Sequence, residues 1–119
     1  MNLNQMIDTI KKHPDYHRIG MILCHNGIVR GTSRDGRQVS GLTVFVNDEK
    51  LHQVINTYKQ QTGIMEILVE IADNRRLSVG DDVMLLVVAG DIRENVIAVL
   101  NDTLNAIKTS VTRKKEYFV

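Results

Sequence analysis

Residues 91–108 constrain the fold of this chain more than any other stretch. Asp91 precedes Ile92, Val96, Ile97, Leu100, Leu104 and Ile107, which recur at helical spacing, and Glu94 stands where a capping box needs an acid. The pattern predicts an amphipathic helix capped at Asp91 and running to about Lys108. A stripe of that width has to be buried against another layer of structure. Two apolar runs, 64–71 and 83–89, read as core strands, and a polar stretch ending in Gly80-Asp81-Asp82 joins them.

The remaining elements follow from local signals. Leu3, Met6, Ile7 and Ile10 form a short helical stripe behind Asn2 as cap, ended by Pro14, the one proline. Residues 19–29 read as a strand. The Asp35-Gly36 turn predicts a hairpin from it into a second strand at 38–46. A helix is expected over 48–61, with Leu51, Val54, Ile55 and Tyr58 inward and Gly63 stopping it. The order helix, hairpin, helix, strand, strand, helix makes part of the sheet antiparallel, so the class is α+β with helices packed on a mixed or antiparallel sheet. With no linker, repeat or low-complexity segment, residues 1–119 form a single domain.

Composition narrows the function. Fifteen basic against 14 acidic residues leave a net charge of +1, and there is no tryptophan. Both argue against a nucleic-acid partner, which calls for a basic excess and stacking platforms. Cys24 is the single cysteine, which excludes an intramolecular disulfide and a cysteine-rich zinc site. His13, His17, His25 and His52 match no metal-ligand spacing, so no metal and no cofactor are expected. The first residues lack the pattern of a signal peptide and no apolar run approaches membrane-spanning length. The cytoplasm is the expected compartment, with no membrane association.

What stands out is a scatter of cations. Arg30, Arg34 and Arg37 fall within eight residues at a strand end and turn. Guanidinium forks suit phosphate and carboxylate, although a solvated hairpin carries such residues too. Arg93 opens the last helix, where a cation opposes the helix dipole unless an anion, or Asp91 or Glu94, offsets it. Lys108 ends that helix, and Arg113-Lys114-Lys115-Glu116 follows in a charged tail closed by Tyr117, Phe118 and Val119. His25, ahead of Asn26-Gly27, either faces the same pocket as Arg30 or is a partly buried structural histidine. No carboxylate pair or nucleophile–histidine pairing of a hydrolase accompanies these cations.

The ordered succession of motifs resembles one family. Gly27-Ile28-Val29-Arg30, the turn at Gly36 and Val39–Leu42 look like the first hairpin of molybdopterin synthase large subunits, the MoaE family. Leu77-Ser78-Val79-Gly80-Asp81-Asp82-Val83 is similar to that family's turn into a core strand. Arg93 falls at the family's His-Arg, Ile107-Lys108 at its Leu-Lys, and Lys114-Lys115-Glu116 at its Trp-Lys-Lys-Glu. Ile92 stands where the family has the histidine, and Val111-Thr112-Arg113 replaces its Pro-x-Trp.

The resemblance implies an alpha/beta-hammerhead fold, a homodimer, and a heterotetramer with a small ubiquitin-like sulfur carrier ending in Gly-Gly. It implies a sulfurtransferase of molybdenum cofactor biosynthesis, acting on cyclic pyranopterin monophosphate. Arg30 and Arg93 would bind substrate phosphate or the incoming carboxylate tail. Lys108 and one lysine of the basic pair would act on the reacting centre. Spacing from Lys108 points to Lys115 as catalytic, with Lys114 in substrate binding, whereas position within Lys-Lys-Glu points to Lys114. Loss of the histidine and tryptophan keeps a second reading open, a family member that binds its partner or a pterin without turnover.

Overall fold

The computed structural model describes all 119 residues. Two three-stranded antiparallel sheets are flanked by three helices. In the larger sheet, β5 (Asp82–Gly90) lies between β1 (Met21–Ile28) and β3 (Ile64–Ile71). The smaller sheet places β2 (Val39–Val46) between β4 (Arg76–Ser78) and β6 (Thr112–Phe118). The antiparallel α+β architecture is the one expected.

β5 is central because both its faces are apolar. Leu85, Val87 and Ala89 pack with Met6 and Ile10 of α1 (Leu3–Lys11). Leu86 and Val88 face the other way, onto Ile64, Ile67, Val96 and Val99. That second layer combines α3 (Arg93–Ala106) with α2 (Asp48–Lys59), which adds Ile55 and Tyr58 to the same cluster. Asn2 caps α1 as expected, its Oδ1 accepting from Gln5 N at 3.1 Å, and Asn47 caps α2 in the same way, its Oδ1 accepting from Lys50 N at 3.0 Å.

Three expectations need correction. The strands either side of the Asp35-Gly36 turn do not form a hairpin. β1 pairs along its length with β5, and β2 with β4 and β6, leaving one bridge, Thr32 to Gln38, across the turn. The turn is real but local: Gly36 has φ +87°, and its N–H donates to Ser33 O at 3.0 Å. Beyond it, Val29 is already engaged with the Gly80-Asp81 turn: Val29 N donates to Asp81 O and Gly80 N to Val29 O. That pairing directs the chain away from β2.

Second, α3 begins at Arg93 with Ile92 as cap residue, and no side chain caps it. Asp91 Oδ1 instead accepts from Ile92 N at 2.7 Å and Asn95 Nδ2 at 2.9 Å. The buried face runs through Val96, Val99 and Thr103, while Ile92 and Ile97 are about half exposed. Third, the charged segment after Lys108 is no solvated tail. Residues Ile107–Val111 form a single π-helical turn, and Thr112–Phe118 then pair with β2 from Val46 to Val39.

Candidate active site

The two sheets meet at the end of α3 and leave a cavity of about 610 Å³ between them. Its floor is apolar, with Val29, Leu42, Val44, Val83, Met84 and Ile107. Its polar groups come from four distant segments: His25 on β1, Arg30 and Arg34 in the following loop, Lys108 in the π turn, and Lys114 and Glu116 on β6. An apolar recess of this size with a few converging charged groups is the ordinary form of a small-molecule site.

Each cation is placed by an identifiable local cause. Arg30 follows the Val29 clasp directly, and its Nε donates to Thr32 O at 2.8 Å, which bends the side chain over the loop. Lys108 sits in the π turn, where Thr109 and Ser110 hydroxyls donate to the Asn105 and Ala106 carbonyls. Such turns widen the helix by a residue and recur at functional sites. Ile107, beside it, is fully buried and anchors the turn.

β6 decides between the two lysines. Side chains alternate along a strand, so Thr112, Lys114 and Glu116 share the cavity face. Lys115 points away: it stands across from Thr43, and its Nζ lies 5.3 Å from the Tyr117 ring. Lys114 Nζ is 3.5 Å from Glu116 Oε1 inside the cavity. The structure therefore brings together Arg30, Lys108 and Lys114 of the expected residues, and not Lys115 or Arg93.

Arg93 lies at the far end of α3, about 22 Å from Lys108 along the axis at about 1.5 Å per residue. Its side chain is 78% exposed and pairs only with Glu94, Nε to Oε1 at 3.2 Å. Its place at the helix start is as expected, but within one chain it does not line the cavity.

Three more groups line the cavity: Arg34 and His25, for which the residues left a site role and an ordinary role both open, and Glu116, which was not expected there. Arg34 faces inward because the Ser33–Arg37 loop is stitched by Ser33 Oγ, which donates to Asp35 and accepts from Arg37 N. The Ser33 hydroxyl, with the Arg37 backbone N–H and charge, holds the Asp35 carboxyl below the usual carboxylate range. Glu116 becomes visible only once β6 is known to be a strand. His25 stands two residues before Gly27, on the same side of β1, and a Cβ at Gly27 would lie 3.4 Å from His25 Nε2, in ordinary contact. Burial, and secondarily the charge of Lys108, push His25 below the usual histidine range.

Cys24 is excluded from the chemistry of the cavity. It points to the opposite face of β1, against the cluster around Met6 and Ile10, and burial pushes its thiol up. No group of three His, Cys, Asp or Glu side chains is placed to hold a metal.

Comparison with known proteins agrees with this architecture. The family model described as MoaE protein matches residues 1–110. The chain belongs to the MoaE family. The match covers the elements that carry Arg30 and Lys108 and stops before β6, so the assignment of Lys114 rests on geometry.

A molybdopterin synthase from Staphylococcus aureus superposes with a TM-score of 0.80 at 18% identity, covering 100% of this chain and 86% of that one. Molybdopterin cofactor biosynthesis protein E from Burkholderia multivorans gives 0.77 at 19%, covering 100% and 84%. A complex of subunits 1 and 2 of molybdopterin-converting factor from Helicobacter pylori gives 0.71 at 15%, covering 100% and 84%. At these identities the likeness shows the fold. Among curated proteins no significant match is found.

Proposed function

We propose that this protein works in molybdenum cofactor biosynthesis as the large subunit of a molybdopterin synthase. It would transfer sulfur from a thiocarboxylated small subunit to cyclic pyranopterin monophosphate. The carrying observation is the convergence of Arg30, Lys108 and Lys114, from segments far apart in sequence, on one apolar-floored cavity. Both ligands of the reaction carry anionic groups, and guanidinium and ammonium groups converging on one recess bind such groups through charge-assisted hydrogen bonds.

Arg30, with Arg34 beside it, is suited to the phosphate or the terminal carboxylate. Lys108 from the π turn and Lys114 from β6 both line the cavity and are suited to the reacting centre, as acid–base or covalent groups. Lys115 is assigned no role in the cavity. Arg93, remote from the cavity of its own chain, can act there only from a second copy, as the expected homodimer would allow. The likeness to the two-subunit Helicobacter pylori complex supports a second, small subunit as partner, and the family resemblance makes that partner a ubiquitin-like carrier ending in Gly-Gly.

The test is reconstitution of this protein with a thiocarboxylated small subunit from the same source and the cyclic pterin precursor. Dithiolene product supports the enzyme and shows that a histidine at position 92 is dispensable. Absence of product, from protein shown to be folded and bound to the small subunit, supports instead a scaffold that binds without turnover. The substitution Ile92, in place of the family's histidine, is the observation that favours this second reading.

A further inference from the structure

His25 is the one histidine lining the cavity, the side-chain type whose ordinary titration lies nearest neutral pH, and the reading above gives it no task. Its surroundings are specific. Arg30 and Arg34 reach the cavity from the loop after β1, Lys108 from the π turn after α3, and Lys114 and Glu116 from β6. Glu116 is the single carboxylate among them, and it is already paired with Lys114. Arg30, Arg34 and Lys108 therefore share the cavity with His25 without a paired counter-charge inside it, and Lys108 is the one whose charge acts on the ring. Neither ring nitrogen of His25 hydrogen-bonds within the chain, in contrast to His13, whose Nδ1 accepts from Asp15 N at 3.0 Å. Gly27 lies under the ring, leaving Nε2 free of any side chain from that position.

We propose that His25 is an anion-binding residue of the cavity, which takes up a proton from solvent as a phosphate- or carboxylate-type ligand enters. This rests on the anion-binding half of the reading above and not on sulfur transfer. The linkage is direct. With the cavity empty, partial burial and the nearby Lys108 charge disfavour the imidazolium. A bound anion offsets the surrounding cations and accepts a hydrogen bond from the ring, so the protonated form becomes the favoured one. The raised value in the complex means that affinity is lowest above the complex's titration midpoint. It increases as pH falls, and levels off below the midpoint of the empty protein. Reciprocity sets the size: each unit by which the ligand raises the His25 midpoint corresponds to about tenfold tighter binding across that window.

Sulfate is the probe, because it stays fully ionised through the histidine range, unlike a phosphate monoester. Imidazole resonances of the full chain are followed by NMR from about pH 5 to 8, with and without saturating sulfate, and His25 is assigned with His25→Gln. The expected result is a His25 midpoint raised by sulfate, and a sulfate affinity that loses its pH dependence in folded His25→Gln protein. Lys108→Met should raise the midpoint of the empty protein. A midpoint unmoved by saturating sulfate, or a pH dependence that survives in His25→Gln, would overturn the proposal. Proton-coupled sulfate binding in a protein that yields no dithiolene would keep this inference and remove the enzymatic one. Dithiolene formation with an unresponsive His25 would do the reverse.

Discussion

The choice between Lys114 and Lys115 is the sharpest consequence of the β6 register, and alanine at each position tests it. Lys114 would lose a 3.5 Å pair with Glu116, whose side chain is 23% exposed while that of Lys114 is 59% exposed. A pair so accessible to water contributes no more than about 1 kcal/mol. Lys115 would lose its approach to the Tyr117 ring at 5.3 Å, which at an exposed site is worth about 0.5–1 kcal/mol. The two variants should therefore melt within a few degrees of the parent and of each other, since about 1 kcal/mol moves Tm by roughly 4 °C in a chain of this size. Their activities should separate. Removing a cation that faces charge developing in the reaction costs about 10²–10³ in rate. In the reconstituted assay, Lys114→Ala should fall by that factor while Lys115→Ala stays within about threefold of the parent. Calorimetry on the same samples controls for folding. The opposite pattern, a hundredfold loss at Lys115 with Lys114 nearly silent, would refute the reasoning, because a one-residue slip of β6 exchanges the two faces of the strand.

Three further outcomes follow from the packing. Thr103 is fully buried on α3 with a hydroxyl that finds no partner, so Thr103→Val should raise stability by about 1 kcal/mol in urea unfolding; a loss would show that the hydroxyl is satisfied. Gly63 has φ +78°, and a side chain there would overlap the Asp91 carboxylate and the Asn95 amide, so Gly63→Ala should lower the unfolding free energy by about 2 kcal/mol or more, and an unchanged midpoint would count against this turn. The Asp91 carboxyl is held below the usual range by the Asn95 side chain and the Ile92 backbone N–H. A depressed folded-state value adds stability that is present above the unfolded-state pKa and disappears as pH falls through the folded one. Asp91→Asn should flatten that acid limb of the stability–pH curve, and a parent-like limb would contradict the assignment.

Part of this protein was legible in its residues because the signals are local. The Asn2 cap, the glycine turns at Gly36 and Gly63 and the apolar run from Val83 to Ala89 depend on neighbours a few positions away. Arg30 and Lys108 were also legible, as cations at the ends of apolar elements. The rest was decided at a distance. Asp35-Gly36 is a hairpin signal, yet the strands on either side belong to different sheets, because Val29 pairs with the Gly80-Asp81 turn instead.

Residues 112–118 read as a charged tail because alternate positions carry Lys114 and Glu116 on one side and Arg113 and Lys115 on the other. Only pairing with β2 turns that polar segment into a strand. The alternation then sends Lys114 into the cavity and Lys115 away from it. A backbone satisfies its hydrogen bonds with whichever strand the packed layers bring alongside, and a single residue of register decides which face each side chain takes. The sequence alone determined that this chain would hold a cluster of cations on an α+β scaffold. The tertiary structure decided which of them share a cavity, and that His25 and Glu116 stand among them.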